Sequence, residues 1–476
     1  MSRLSRRKFL KGSLTAAGSA FVIGGSKASG RELGANDRIR IAIAGIHSRG
    51  GSHINAFSGM DGVEIAYLVD PDTRLFGGRT KEVQDKSKGR SDPECVQDIR
   101  RVLDDKSVDA VSIATPNHWH SLMTIWACQA GKGVYVEKPM SHNVHEGRIA
   151  VEVARKHGSI VQHGTQRRSE RGWAHAMAAI KSGKLGKLKV ARGYCCKPRG
   201  SIGFKEHKAP PSELDWNLWL GPAPDQPYHE NLVHYNWHWF WDTGNGDIGN
   251  QGVHQMDIGH WGIPGATLPK SVISFGGRFG YKDQGQTANT QVALMDFGET
   301  LFVFEVRGLK TPRKVANEFF LEHGRIVEAK WYPNDGDGKA APLPDVEFDL
   351  GPGRGNFGNF IAAMRSRKQS DLNAPILAAH YSSVLGHLAN VSYRLGEKVP
   401  FNPRTKAFGD DKNACQELER MEEHLKDNGV KLSETKCQVG RRLEVDARAE
   451  KIVGDAEANK MLTRRYRKPF AVPDKA

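Results

Sequence analysis

Residues 38–44, reading RIRIAIA, alternate polar and apolar positions and then turn continuously apolar, as does a strand buried on both faces of a parallel sheet. The run stops at Gly45-Ile46-His47-Ser48-Arg49-Gly50-Gly51, and a helical pattern occupies Ser52–Met60. A second apolar run, Val63–Val69, ends in Asp70-Pro71. The pattern then predicts a helix near Cys95–Leu103, a strand over Ala110–Ala114, a turn at Thr115–His120, a helix through Ala130 and a strand over Gly133–Glu137. Such alternation with short connections specifies a doubly wound parallel sheet, set at residues 36–161, with ligands at the carboxyl ends of its strands.

From about Gln162 the period changes. Strand-like runs at Leu188–Cys196, Ser271–Phe279, Thr290–Phe297, Leu301–Arg307, Phe319–Glu322 and Arg325–Glu328 follow one another with few helices between them. They predict an α+β domain with a large open, mostly antiparallel sheet over residues 162–400. Helices Asn356–Arg367 and Pro375–Arg394 are expected to pack back on the first domain. The fold class is therefore α/β, a Rossmann-type sheet followed by the α+β domain. Residues 401–476 form an extension with a charged helix around Cys415–Asn428 and no assigned chemistry.

Composition narrows this picture. The chain has 476 residues, 38% hydrophobic, enough for two or three domains. Its net charge of +15 is spread out, and no long basic run carries interleaved aromatics, which argues against a nucleic-acid partner. The six cysteines show neither CxxC spacing nor the density of a disulfide scaffold. The start of the chain says more. Ser5-Arg6-Arg7-Lys8-Phe9-Leu10-Lys11 precedes the small, mildly apolar stretch Leu14–Gly24, about half the length of a membrane span. This order resembles a twin-arginine export signal, set at residues 1–30. It predicts a periplasmic or otherwise exported protein, folded before transport, with no stable membrane insertion after signal removal.

The Gly-rich turn supplies the first chemistry. Gly45, His47, Ser48, Arg49 and Gly50 lie between strand and helix, where backbone N–H groups and the positive helix end meet a pyrophosphate. Gly45 and Gly50 take the first and third positions of GxGxxG, while His47 takes the second. Asp70, about 20 positions past the turn, is placed to bind an adenosine ribose, so NAD is expected over NADP. Thr115, Pro116, Asn117, His120, Glu137, Lys138 and Gln166 stand at strand ends and complete the expected cofactor wall. Outside the inner membrane no pool of free nucleotide is expected, so the NAD should be tightly bound.

Glu137-Lys138-Pro139, following a strand and the ATPNHWH turn, and Gly252, His254, Asp257 and Trp261 within TGNGDIGNQGVHQMDIGHW (Thr243–Trp261) resemble the signatures of the Gfo/Idh/MocA oxidoreductases. The resemblance covers roughly residues 38–400. It implies catalytic roles for Lys138, His254 and Asp257: the Lys beside nicotinamide and the reacting carbinol, held by a cis-Pro turn, the His on the substrate, the Asp positioning it or binding hydroxyls. Asn250 departs from the pattern, standing where the first Asp of the helical motif normally lies, so the usual carboxylate–His pairing is missing unless Asp247 or Asp257 replaces it. Arg167, Tyr194, Lys197, Tyr235, Trp237, Asn250, His254 and Asp257 are candidate substrate contacts. The aromatic run Tyr235–Trp241 suits a sugar platform, or equally a buried cluster bracing the helix. No metal site is expected, because His254, His260, Asp247 and Asp257 find no convincing further ligands.

The expected activity is hydride exchange between NAD and a hydroxyl of a sugar, glycoside or polyol. One alternative is an NAD-dependent glycosidase or lyase using transient sugar oxidation; a second is a non-catalytic sugar-binding protein with a vestigial nucleotide site. A homo-oligomer is expected, joined through the uncovered face of the open sheet.

Overall fold

The computed structural model describes residues 38–401, 408 and 410–476; the export-signal segment lies outside the described residues. The apolar runs become β1 (Ile39–Ala44), β2 (Val63–Val69), β3 (Glu94–Val96), β4 (Ala110–Ile113), β5 (Gly133–Val136) and β6 (Val161–His163). All pair in parallel, in the order β3-β2-β1-β4-β5-β6. Helices Ser48–Ser58, Phe76–Ser87, Ile99–Asp104, Asn117–Gln129 and Val144–Lys156 alternate with the strands, and apolar clusters lie on both sheet faces. The helix expected near Cys95–Leu103 is split. Cys95 and Val96 pair with Leu68 and Val69 at the sheet edge, and Asp98 caps a later helix by accepting the Arg100 N–H at 3.0 Å. The Thr115–His120 turn is also shorter than expected, since the helix already begins at Asn117.

The second sheet has eleven strands: β7 (Leu188–Cys196), β8 (Ser271–Gly277), β9 (Thr290–Asp296), β10 (Leu301–Arg307), β11 (Val315–Leu321), β12 (Gly324–Val327), β13 (Lys330–Pro333), β14 (Glu397–Pro400), β15 (Lys436–Val439), β16 (Leu443–Asp446) and β17 (Lys451–Ile452). Among the described residues of this sheet, only the β7–β10 pairing is parallel. Helices Gly252–Gly262 and Ile376–Arg394 cover one face, burying Met256, Ile258, Leu385 and Leu388 with Phe302, Phe304 and Phe319. Glycine brings the first of these helices close: a Cβ on Gly259 would stand 2.4 Å from the Phe302 ring, and one on Gly262 2.4 Å from Phe319.

The other face is partly covered by the chain itself. Helix Lys412–Asp427 sets Leu418, Met421 and Leu425 on Ile273, Phe275, Val292, Leu294 and Val303, and Glu417 pairs with Arg192 of β7. The face expected to stay free for a subunit contact is thus occupied over its central strands. The extension also reaches the first domain, where Phe470 and Val472 join the core beside Trp119. Burying a Phe of this kind stabilises by about 1.5–3 kcal/mol, so the tail holds the two halves together.

Candidate active site

The carboxyl ends of β1, β2, β4 and β5 open into a cleft of about 340 Å³. Gly45 ends β1 at φ +80, where a Cβ would lie 2.7 Å from the Ala114 and Thr115 backbone. Gly50 approaches the same turn so closely that a Cβ would come 2.0 Å from the Gly45 carbonyl oxygen. Helix Ser48–Ser58 has no side-chain cap, which leaves its first N–H groups facing the cleft as anion donors. The His47 ring stacks on His234 at 4.5 Å and 10° and meets Ser48 Oγ at 2.8 Å. Replacing Gly45 with Ala should therefore strip bound nucleotide and lower stability by about 1 kcal/mol or more for the positive φ alone; the nucleotide released on denaturation and the unfolding midpoint measure both.

Asp70 is buried, and its two carboxylate oxygens accept the Ile46 and Asp72 N–H groups, each at 3.0 Å. Burial raises its pKa to about 6 despite those two donors. Residues 197–245 cross over this end of the cleft as a strap. The Asp215 N–H donates to the Pro71 carbonyl at 2.9 Å, Asn117 Nδ2 donates to Asn245 Oδ1 at 3.1 Å, and His234 Nε2 meets Asp72 Oδ2 at 2.8 Å. Leu218, Trp219, His234 and Trp237 consequently line the cleft. Nothing in the strap's sequence signals this role, because it carries no regular period.

At the far end, Glu137 is held by Arg49 Nε at 2.7 Å and His53 Nε2 at 3.2 Å. Its second oxygen accepts the Lys138 N–H at 3.3 Å. Only glycine fits at 164, where a Cβ would stand 2.8 Å from the Glu137 carboxylate. These donors keep Glu137 ionised well below the usual carboxylate range, overcoming the upward push of burial. The Lys138–Pro139 peptide is cis, and Lys138 Nζ reaches the second domain, donating to Asn250 Oδ1 at 3.0 Å and to its carbonyl at 3.3 Å. Burial lowers the Lys138 pKa, with Glu137 opposing and Arg49 adding to the shift. Burial, with the Lys138 charge nearby, pushes the His254 imidazole down to about 3.

Of the expected cofactor residues, Gly45, His47, Ser48, Arg49, Asp70, Thr115, Pro116, Asn117, His120, Glu137, Lys138 and Gln166 line this cleft, and Gly50 supports it from behind. Lys197, Tyr235, Trp237, Asn250 and His254 line it from the other side. Three residues lie elsewhere. Arg167 pairs with Glu170 at an exposed position, Tyr194 donates to Glu318 at 3.1 Å on the opposite face of the sheet, and Asp257 lies beneath the cleft, fully buried against Arg168 and Ser382. The aromatic run divides likewise, since Trp239 and Phe240 join a buried cluster with Trp219 and Tyr228 while Tyr235 and Trp237 face the cleft. Asp247 is taken by Arg199, at 2.6 and 2.8 Å, so neither acid replaces the missing partner of His254. Arg199, which like Lys197 follows the strand ending at Cys196 and is a candidate substrate contact on that ground, also lines the cleft, and His53, Gln251 and His234 belong to the site without having been singled out as site residues. Among the described residues no group of His, Cys, Asp and Glu is arranged to hold a metal, and no helix is long and apolar enough to cross a membrane.

The residues present fit a dinucleotide. Thr115 Oγ1 and Asn117 Oδ1 are buried on the cleft wall with no hydrogen-bond partner, and Gly45 and the uncapped start of helix Ser48–Ser58 bring backbone to the same wall. Residues 39–165 match a family described as an oxidoreductase family with an NAD-binding Rossmann fold. Residues 194–263 match its C-terminal alpha/beta domain. The scyllo-inositol 2-dehydrogenase (NAD(+)) of Bacillus subtilis (strain 168) is 29% identical over 178 residues, 37% of this chain and 47% of the relative. A glycosyl hydrolase family 109 protein of Shewanella sp. (strain ANA-3) is 32% identical over 31% of this chain and 36% of its own. The matches thus span less than half of these relatives. Among solved structures, the WlbA dehydrogenase from Bordetella pertussis in complex with NADH and UDP-GlcNAcA aligns with TM-score 0.53 at 17% identity, covering 74% of this chain and 96% of that one. Levoglucosan dehydrogenase in complex with NADH and levoglucosan aligns with TM-score 0.53 at 16% identity, covering 74% and 97%. With its Gly-rich turn, Glu-Lys-Pro segment and second-domain helix all in place, the chain is similar in both of its domains to the Gfo/Idh/MocA oxidoreductases.

Proposed function

We propose that this protein, exported in the folded state, transfers hydride between a resident NAD and a hydroxyl of a sugar, glycoside or polyol. The observation that carries this reading is the meeting of Lys138 from the first domain with Asn250 and His254 from the second in one cleft with the Gly45 turn. Gly45, Ser48, Arg49 and Asp70 would hold the dinucleotide, with Thr115, Asn117 and Gln166 along its length. Held there, an oxidised nicotinamide would supply the acceptor for the carbinol hydrogen and its electron pair.

The protein's own residues manage the proton and the geometry. Lys138, its pKa already lowered, takes the hydroxyl proton on Nζ as the carbonyl forms. His254 does not store that proton: an imidazole with a pKa near 3 remains neutral at working pH, so it orients the hydroxyl by hydrogen bonding. Asn250 aims the amine without the charge an Asp would place there. Holding the reacting atoms about 3–3.5 Å apart supplies the proximity contribution. The strap across the adenosine end favours retention of the nucleotide, as an enzyme without an external supply requires.

The experiment is to purify the full chain, extract it, and add sugars to the intact protein while recording absorbance near 340 nm. Extracted NAD together with a rise on sugar addition is the expected result; a chain without nucleotide, or with nucleotide inert to every sugar, rejects the reading. The match to a glycosyl hydrolase family 109 protein favours one second reading, in which oxidation is transient and an aglycone leaves. Release from a chromogenic glycoside with no net change at 340 nm selects it.

A further inference from the structure

A pocket for neutral polyols usually offers carboxylates, because an ionised carboxylate accepts from two neighbouring hydroxyls at once. In this cleft every acid near the catalytic lysine is already used. Glu137 is bound by Arg49 and His53. Asp247, with a side chain 0% exposed, is bound through both oxygens by Arg199. Asp257 is bound by Arg168, and position 250 is Asn. The carboxylates that remain on the wall, Asp70 and Asp98, stand at the first-domain end by β2 and the capped helix Ile99–Asp104.

The cations show the opposite balance. Lys138 touches only the neutral Asn250 with its ammonium. Lys197 follows β7 on the cleft wall, and its ammonium has no ion pair or hydrogen bond among the described residues. Strand alternation puts it on the same side as Cys195, the side that faces helix Gly252–Gly262, and Arg199 with its Tyr235 partner continues that wall. The substrate half therefore offers the Lys197 ammonium, the Lys138 amine, amides, an imidazole and two aromatic rings, with no free carboxylate among the described residues.

We propose that the substrate is an anionic sugar, a ring bearing one carboxylate or sulfate ester, and that Lys197 is the specificity-determining residue that binds its charge. This rests on the proposed reading of the cleft as a sugar site. Lys138 then serves the reacting hydroxyl while Lys197 binds the charged substituent, and Tyr235 and Trp237 face the ring. A contact of this kind is charge-assisted and screened by salt.

The test uses the nucleotide-loaded full chain and three probes: methyl glucoside, methyl glucuronide and methyl glucoside 6-sulfate, with binding read from tryptophan fluorescence. At least one charged probe should bind about tenfold more tightly than the neutral glycoside, and which one identifies the group. The preference should shrink in high salt, fall within about twofold in Lys197→Met, and return in Lys197→Arg. Equal affinities, binding of none of the three, or a preference that survives Lys197→Met overturns the proposal. Absorbance near 340 nm separates the two claims: a chain that oxidises neutral and charged glycosides alike retains the oxidoreductase reading and loses this one, whereas selective binding without any redox change does the reverse.

Discussion

Lys138→Ala should lower turnover by about 10²–10⁴-fold while the purified protein still carries its nucleotide. The amine is the group in the cleft suited to accept the proton, because burial lowers its pKa from the usual ammonium range while Glu137 is locked as a carboxylate and His254 has too low a pKa. Lys138→Arg should not restore the rate, since a guanidinium does not deprotonate in this range. The sign of the pH dependence follows. Oxidation needs the neutral amine, so its rate rises with pH through the lowered Lys138 pKa and then levels; reduction needs the ammonium and falls through the same value. Asn250→Asp provides the control. A carboxylate 3.0 Å from Nζ would hold the ammonium protonated and move the rising limb upward by about one pH unit or more. Retained turnover in Lys138→Ala, or a limb unmoved by Asn250→Asp, would assign the proton to another group.

The residues that line the cleft were legible where a side chain stands at the end of a regular element. Gly45, Asp70 and Lys138 each follow a buried strand, and in a parallel sheet such positions share one edge. His254 was legible from its helix and the spacing around it. Tyr194 was not, because alternation puts neighbouring strand residues on opposite faces and parity has to be fixed by a partner. Gly193 fixes it here: a Cβ there would meet the Phe304 ring at 2.8 Å and Gln255 at 3.4 Å, so Gly193 and Cys195 face the helix and Tyr194 faces away. His234 and the strap were illegible for another reason, since a long segment without a period states its composition and not its path. The extension after residue 400 misled in the same way. Leu418, Met421 and Leu425 repeat at helical spacing, but only the folded chain identifies the sheet face that they cover.

Asp257 decides how far helical spacing alone reaches. Three residues from His254, it shares a helix with the imidazole that lines the cleft, yet Arg168 holds it below the cleft with Nε 2.8 and 2.9 Å from its two oxygens. Ser382 adds a hydroxyl at 2.6 Å, and the guanidinium stacks over Trp261 at 5.0 Å. With side chains 8% and 1% exposed, this is a buried pair, and removing one partner from such a pair costs about 3–5 kcal/mol. Arg168→Ala should therefore lower the denaturant-unfolding free energy by that amount at neutral pH. Burial pushes the Asp257 pKa up, but Arg168 and Ser382 outweigh it and leave the value lowered. In the wild type the carboxylate's contribution is then complete above its unfolded pKa of about 3.9 and is lost as pH falls through the lower folded value. In Arg168→Ala burial prevails and the folded pKa rises above the unfolded one, so stability is lost as pH climbs through that range. The gap between the two proteins should widen from pH 4 to pH 7. A variant as stable as wild type at pH 7 would deny the Arg168–Asp257 pair this structural role.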